Sequence, residues 1–149
     1  MIEFINVSKV YKNGNEALKD VNLKIEKGEF VFVVGPSGAG KSTFIKMLLH
    51  EEVPTKGTVY VNGYNMNRIK RRQIPQFRRS LGVVFQDFRL IPKMTVYDNV
   101  AFALRVTNVA SRSIRQRVPY ILNLVGLASK ARSYPEQLSG GEQQRVALA

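Results

Sequence analysis

The chain has 149 residues, and its 23 lysines and arginines against 11 aspartates and glutamates give a formal charge of +12. Hydrophobic residues make up 44% of the sequence, which excludes a disordered chain, and the absence of cysteine excludes disulfides, thiolate metal sites and cysteine nucleophiles. No apolar run approaches the ~20 residues of a membrane-spanning helix, so the composition predicts one globular domain in the cytoplasm.

The first third of the chain reads as strands followed by a glycine loop and a helix. Residues 2–7 and 21–25 alternate apolar and polar side chains, the pattern of half-buried strands. Residues 30–34 form a continuous apolar run rich in β-branched side chains, which is typical of a strand buried on both faces of a parallel sheet. The glycine-rich stretch 35–40 and a helical pattern over 42–49 follow, and this order predicts the first half of a βαβ unit.

The middle of the chain predicts two more strands around a basic segment. Residues 57–62 read as a strand that ends in an Asn-Gly turn, and residues 65–80 are polar and strongly basic. Residues 81–85 form a second apolar, β-branched run. We therefore expect another core strand over 81–85.

Helical patterns dominate the remainder. A helix is predicted over residues 95–106 with Thr95 as its N-cap. Residues 111–125 carry apolar side chains at helical spacing, with Ser111 or Ser113 as the N-cap. Pro119 should kink this helix or shift one of its ends. A last helix is expected to begin near residue 141.

A phosphate-binding loop is predicted directly after the apolar run 30–34. The loop matches G-x-x-x-x-G-K-[ST] in full, and a plain glycine-rich turn is disfavoured by the predicted strand and helix on either side. Glycines let backbone N–H groups converge on phosphate oxygens, and the helix start adds partial positive charge. Lys41 would place a cation at the β- and γ-phosphates, and Ser42 a hydroxyl on Mg²⁺. The nucleotide-binding residues predicted here are Gly35, Pro36, Ser37, Gly38, Ala39, Gly40, Lys41, Ser42 and Thr43.

Three further motifs indicate a family. The string Leu-Ser-Gly-Gly-Glu-Gln over residues 138–143 resembles the signature of ABC-type ATPases, although a serine N-cap before a flexible glycine pair would look similar. Gln86, after the predicted strand 81–85, resembles the family's Q-loop. Tyr11 lies where the family places an adenine-stacking aromatic, although it could also be a core residue. With the phosphate loop, these motifs follow the family's order over almost the whole chain.

The resemblance implies a fold and a domain organisation. It implies an α/β fold with a P-loop core of the ABC ATPase type and an N-terminal antiparallel β subdomain. A helical subdomain would be inserted at about residues 95–139, within one incomplete ABC ATPase domain over residues 1–149.

The resemblance also implies ATP and Mg²⁺ as cofactors and a homodimer with ATP at its interface. Tyr11 would stack on adenine, Lys41 and Gln86 would be catalytic, and Ser42 and Gln86 would serve the metal and the attacking water. The signature would close over the nucleotide of a second copy, because in the family it cannot reach the P-loop of its own chain. Its nucleotide-binding residues would be Ser139, Gly140, Gly141 and Glu142.

Finer features resemble the cell-division branch of this family. They are the stretches 51–57, 74–79 and 85–92. This branch works under a polytopic membrane subunit, which implies a peripheral position on the inner face of the plasma membrane. ATPases of lipoprotein and macrolide export share the general motifs and remain the close alternatives.

The family's Walker B aspartate and catalytic glutamate lie beyond the signature helix. No apolar run that ends in Asp-Glu occurs in the sequence. We therefore expect this chain to be the N-terminal part of an ABC ATPase, truncated before Walker B, whose hydrolysis in isolation is doubtful. The alternative from another class is a non-catalytic nucleotide-binding fragment or adaptor that scaffolds a membrane partner.

Two segments could contact partners. Residues 68–79 contain six cations within 12 residues. They predict a solvated face or a contact with anionic lipid. A nucleic-acid surface is the least favoured alternative, because the sequence contains no recognised nucleic-acid-reading module. Residues 87–97 are rich in apolar side chains around Pro92. They predict either a hinge loop or a groove that receives a short helix of the membrane subunit.

Overall fold

A four-stranded antiparallel sheet forms much of the first unit of this computed structural model, which describes residues 1–149. The chain separates into two units, Met1–Ser80 and Leu81–Ala149. The strand order is β2-β1-β3-β4, so that β1 pairs with both β2 and β3. The strands are β1 (Ile2–Val10), β2 (Glu16–Ile25), β3 (Lys56–Val61) and β4 (Tyr64–Asn65). The sequence predictions for 2–7, 21–25 and 57–62 are confirmed.

The core of the first unit lies between this sheet and helix α1 (Lys41–Leu48). Phe4 of β1 is buried, and its ring lies 4.8 Å from the ring of Phe44 of α1, centroid to centroid. Met47, one helical turn after Thr43, is also fully buried. A second, short helix, α2 (Ile74–Arg79), lies within the basic segment and buries Phe77.

Residues 30–34 and 81–85 are not strands, and the predictions of buried core strands there are wrong for this chain. Neither segment takes part in a strand ladder, and Phe30 and Val34 are each 85% exposed. The physical reason is that a parallel strand makes its backbone hydrogen bonds only with neighbouring strands. The sheet of β1–β4 provides no such neighbour for either segment.

The second unit is helical and has its own hydrophobic core. Its helices are α3 (Val96–Val106), α4 (Ser111–Leu124) and α5 (Gly140–Leu148). Buried apolar side chains from these helices meet those of the connecting turns, with the helical spacing seen in the sequence. The cluster contains Val96, Val100, Ala101, Ile114, Val118, Leu122, Leu127, Leu138 and Val146.

The N-cap predicted for α3 is present, whereas the serine cap predicted for α4 is wrong, because Ala110 is the N-cap residue of α4 and no side chain caps that helix. The Thr95 hydroxyl oxygen accepts a hydrogen bond from the Asp98 N–H at 3.1 Å, which confirms the predicted N-cap of α3. Helix α4 continues through Pro119, so neither of its ends is moved by the proline. None of the helices combines the length and apolar character that a bilayer crossing demands.

Candidate nucleotide-binding site

The loop over residues 35–40 depends on glycine for both its conformation and its packing. Gly38 and Gly40 have φ angles of 82° and 85°, in the left-handed region that side chains disfavour. A Cβ on Gly40 would also lie 2.2 Å from the carbonyl oxygen of Ala17 on β2, whereas one on Gly38 would meet nothing. The last glycine of the loop therefore packs the start of α1 directly against the sheet.

The N-terminus of α1 is open. Its N-cap residue is Gly40, and no side chain caps the helix. The first backbone donor of the helix is the Phe44 N–H, which bonds the Gly40 carbonyl at 2.9 Å. The N–H groups of residues 41–43 donate to no protein acceptor. Free N–H donors at the positive end of a helix dipole fit an anion such as a phosphate group.

Lys41 lies at this helix start with one hydrogen-bond donor unused. Its ammonium donates to the carbonyl oxygens of Gly35 and Pro36, both at 2.7 Å. These bonds draw the cation back across the loop, and the remaining N–H can bind a phosphate oxygen. Ser42 is exposed, and its hydroxyl is a hard oxygen ligand of the kind that Mg²⁺ takes. The residues present thus fit a Mg²⁺-bound nucleoside triphosphate.

Tyr11 is linked to the same helix. The hydroxyl groups of Tyr11 and Thr43 are 3.1 Å apart, and Thr43 is buried beside Ser42. This places the aromatic ring that the sequence predicted for adenine at one end of the phosphate-binding helix.

Two charged residues beside Tyr11, Lys9 and Glu52, were not among the predicted site residues. The Lys9 ammonium lies 5.2 Å from the centroid of the Tyr11 ring and pairs with the Glu52 carboxylate at 2.6 Å. The alternation of side chains between the two faces of β1 could have indicated Lys9, because Lys9 lies two residues after the buried Val7 and on the same face of the strand. Glu52 has no comparable pattern, since it lies in an irregular connection after α1.

Gln86 lies in the second unit, at a tight turn. Its side chain is exposed, and the two residues after Asp87, Phe88 and Arg89, have φ angles of 57° and 48°. The Arg89 guanidinium stacks 3.8 Å from the centroid of the Phe85 ring and lies 3.4 Å from the Asp87 carboxylate. Positive φ at successive non-glycine residues stores strain, which these contacts help to hold.

The signature residues form a closed helix start in the second unit. The Ser139 N–H donates to the Glu142 carboxylate at 2.8 Å, and the Ser139 hydroxyl donates to the same carboxylate at 2.9 Å. The Glu142 N–H completes a capping box by donating to the Ser139 hydroxyl oxygen at 3.3 Å. The Ser139 N–H, and then its hydroxyl, hold the pKa of Glu142 below its usual value.

The predicted site residues therefore fall into two groups. Tyr11, the loop 35–40 and residues 41–43 come together in the first unit, around the start of α1. Gln86 and the signature residues 139–142 belong to the second unit. The loop, its glycine packing and the uncapped helix after it define a P-loop nucleotide-binding protein.

Comparison with known proteins places this P-loop protein in a family. The family profile described as ABC transporter matches residues 18–149. Two solved structures, a bacterial ABC transporter cassette in dimeric form and a dimeric post-hydrolysis ATP-binding cassette bound to ADP and Pi, share a TM-score of 0.87 with this chain. Their sequences are 41% and 40% identical to it, over 99% of this chain and 67% of theirs. The chain belongs to the ABC transporter family and has the fold of its ATP-binding cassettes.

Curated relatives point to one branch of the family. The chain is 56% identical over 149 residues to the cell division ATP-binding protein FtsE of Bacillus subtilis (strain 168). It is 53% identical to FtsE of Mycobacterium tuberculosis (strain ATCC 25618 / H37Rv) and 46% identical to FtsE of Escherichia coli (strain K12). The chain spans 65% of the length of the first two relatives and 67% of the third. The sequence-based resemblance to the cell-division branch is confirmed.

Proposed function

We propose that this chain is the ATP-binding part of an ATP-hydrolysing subunit in an FtsE-type ABC complex that acts in cell division. The observation that carries the proposal is the open start of α1, where the N–H groups of residues 41–43 are free and the Lys41 ammonium has one unused donor. Similarity to FtsE proteins of three bacteria supports the cell-division assignment over lipoprotein and macrolide export.

The predicted site residues have separate proposed roles. The amides of the loop and of residues 41–43 bind phosphate oxygens, and Lys41 neutralises charge at the β- and γ-phosphates. Tyr11 stacks on adenine, and the Ser42 hydroxyl holds Mg²⁺. Bound Mg²⁺ would neutralise part of the phosphate charge. Gln86, which belongs to the second unit, would orient water and provide an oxygen ligand for the metal.

The signature is proposed to act in a second copy. Residues 1–149 would belong to one ABC ATPase domain, with a helical subdomain at about residues 95–139 that presents Ser139, Gly140, Gly141 and Glu142. Two copies would bind head to tail with ATP between them, and the dimeric form of both similar cassette structures supports this arrangement. The Ser139 hydroxyl donates a hydrogen bond to the Glu142 carboxylate. To donate to a partner's γ-phosphate, the hydroxyl must give up this bond.

The membrane partner is proposed to be a polytopic subunit like FtsX, which places the protein on the inner face of the plasma membrane. Closure of the ATP-bound dimer would change the geometry of that partner. The basic segment 68–79 would face anionic lipid: none of its cations forms an ion pair with an acidic side chain. Arg78 is used differently, because its guanidinium donates to the carbonyls of Leu49 and His50 at the end of α1.

Titration of MgATP into the purified protein by calorimetry tests nucleotide binding, and saturable binding is expected. A parallel assay measures phosphate release. We expect turnover near background for the 149 residues and clear turnover for a longer chain that includes Walker B and its glutamate, since water must be oriented and the metal held. Absence of MgATP binding, or phosphate release by the 149 residues that depends on Lys41, contradicts the corresponding half of the proposal.

The segment 87–97 is proposed to form the groove that receives a short helix of the membrane subunit. Phe88 and Leu90 are its candidate contact residues, and Phe88→Ala is the cleaner test because Leu90 packs against the hydrophobic core of the second unit. The Phe88→Ala ATPase should co-purify less well with its membrane subunit, by about 1 kcal/mol or more in binding free energy. MgATP affinity should stay the same. The control is Phe102→Ala, an equal truncation of an exposed side chain on α3. Equal loss in both variants, or a parallel loss of MgATP affinity, would argue for a hinge or packing role.

A further inference from the structure

Lys9 is a nearly buried lysine beside the aromatic ring of Tyr11. The residue is 9% exposed, and its ammonium is held by the Glu52 carboxylate at 2.6 Å and by the Val53 carbonyl at 2.9 Å. The same ammonium lies over the Tyr11 ring, 5.2 Å from its centroid. A cation at this distance is attracted to the electron-rich face of an aromatic ring.

The Tyr11 residue is fixed from several directions. Its N–H donates to the Asn15 carbonyl at 2.9 Å, and its hydroxyl lies 3.1 Å from the Thr43 hydroxyl on α1. An open pocket of about 480 Å³ lies alongside, lined by Lys9, Val10, Tyr11, Lys12, Asn13 and Glu52. The ring is therefore held on its Lys9 side and at its hydroxyl, with space left beside it for a ligand.

We propose that Lys9 is a positioning residue for the base of the nucleotide: it holds the Tyr11 ring in place for stacking, with Glu52 holding Lys9. This inference rests on the proposed binding of ATP at the P-loop. A buried ion pair is a weak source of stability, because removing two charges from water opposes their attraction, and well-packed apolar side chains often replace such a pair without loss. The position of this cation over a single tyrosine ring points to a role in orienting that ring.

The Tyr11–Thr43 contact connects the Tyr11 ring to the phosphate-binding start of α1. Thr43 follows Ser42 directly and lies in the first turn of α1, next to the free N–H groups. The ring that meets the base and the helix that meets the phosphates are thus joined by one hydrogen bond. A ring held by Lys9 loses less conformational freedom when the base binds, so Lys9 should strengthen base binding and leave phosphate binding unchanged.

The test compares MgATP with magnesium tripolyphosphate, which has the phosphates and lacks the base. Both are titrated by calorimetry into the full chain and into Lys9→Met, which keeps most of the side chain's volume. We expect MgATP affinity to fall about five-fold, which corresponds to ~1 kcal/mol, and tripolyphosphate affinity to stay unchanged. Lys9→Arg should retain MgATP affinity, because it keeps a cation near the ring. The control is Lys19→Met, the same change at an exposed position of β2.

Other outcomes separate this inference from the proposed function. Equal MgATP affinity in Lys9→Met and the unaltered chain overturns it, and so does an equal loss for both ligands, which would indicate a purely structural role. If Lys9→Met fails to fold, the double variant Lys9→Met/Glu52→Gln removes the unpaired carboxylate, and its ratio of MgATP to tripolyphosphate affinity must fall in the same way. If the unaltered chain binds neither ligand, the nucleotide-binding function itself is overturned.

Discussion

The molecule contains two glycine-rich helix starts that differ in how their polar groups are used. Helix α1 begins after Gly40 without any side-chain cap, and the N–H groups of residues 41–43 bond no protein atom. Helix α5 begins after Ser139 inside a complete capping box with Glu142. The free N–H groups at the start of α1 can bind an external anion, whereas the start of α5 is already hydrogen-bonded to a carboxylate of its own helix.

This difference follows from local chemistry. A serine three residues before a glutamate can form a capping box from neighbouring residues alone, and α5 has both. The corresponding position of α1 is a glycine packed against Ala17, where any side chain would collide. The open helix start is thus enforced by tertiary packing, and the closed one by sequence.

The largest expected effect tests that packing. Gly40→Ala should lower the free energy of unfolding by about 3 kcal/mol or more. The new Cβ would collide with the Ala17 carbonyl oxygen, and the alanine would also have to adopt a left-handed backbone conformation. The matched control is Gly38→Ala, with nearly the same φ and open space around its Cβ, which should cost about 1–2 kcal/mol. Urea denaturation measures both, and similar values would mean that Gly40 does not pack as described.

The next effect tests the open start of α1. Lys41→Ala should weaken MgATP binding on the order of 100-fold, because it removes the cation at the start of α1, whose ammonium has one donor left for a phosphate oxygen. Lys46→Ala makes the same change in charge in the last turn of the same helix and should leave the affinity unchanged. Calorimetric titration gives both constants. Comparable losses of MgATP affinity in the two variants would mean that Lys41 contributes only through the net charge of the protein and not through direct contact with the phosphates.

A smaller effect tests the closed start of α5. Ser139→Ala should destabilise the second unit by about 1 kcal/mol, because it removes the side chain that caps the helix. Ser111→Ala, at the first position of α4, is the control, since that helix has no side-chain cap. Urea denaturation, monitored by circular dichroism, measures the free energy of unfolding of both variants. An unchanged midpoint for Ser139→Ala would show that the capping box contributes nothing to stability.

The smallest effect is a pH dependence of the same capping box. The folded state holds the pKa of Glu142 below its ordinary value of 4.5, so this carboxylate stabilises the fold at neutral pH and the contribution is lost as pH falls through the lowered pKa. Between about pH 5 and about pH 3 the unaltered chain should therefore lose more stability than Glu142→Gln. Thermal unfolding at stepped pH measures this, with Glu136→Gln as the control. Parallel curves for the chain and Glu142→Gln would contradict the assigned cause.

Local patterns predicted the helices and turns well, because the groups that satisfy them are neighbours in the chain. The cap at Thr95 and the Asn-Gly turn at residues 62 and 63, where φ is 49° and 81°, were both visible in the sequence. The apolar runs 30–34 and 81–85 have the composition of buried strands and are not strands in the structure. Their composition specifies a preference for a sheet, whereas the ladder itself depends on neighbours that composition does not identify.

By itself, the sequence determined the phosphate loop, the order of the four family motifs and the N-cap of α3, since each is a short string whose chemistry acts over a few residues. Only the tertiary structure decided that Lys9 and Glu52 stand beside Tyr11, and that Tyr11 bonds Thr43 of α1. These contacts join residues 32 and 43 positions apart, from Tyr11 to Thr43 and from Lys9 to Glu52. Residues so distant meet only when the sheet and helix pack, so no local period or spacing encodes them.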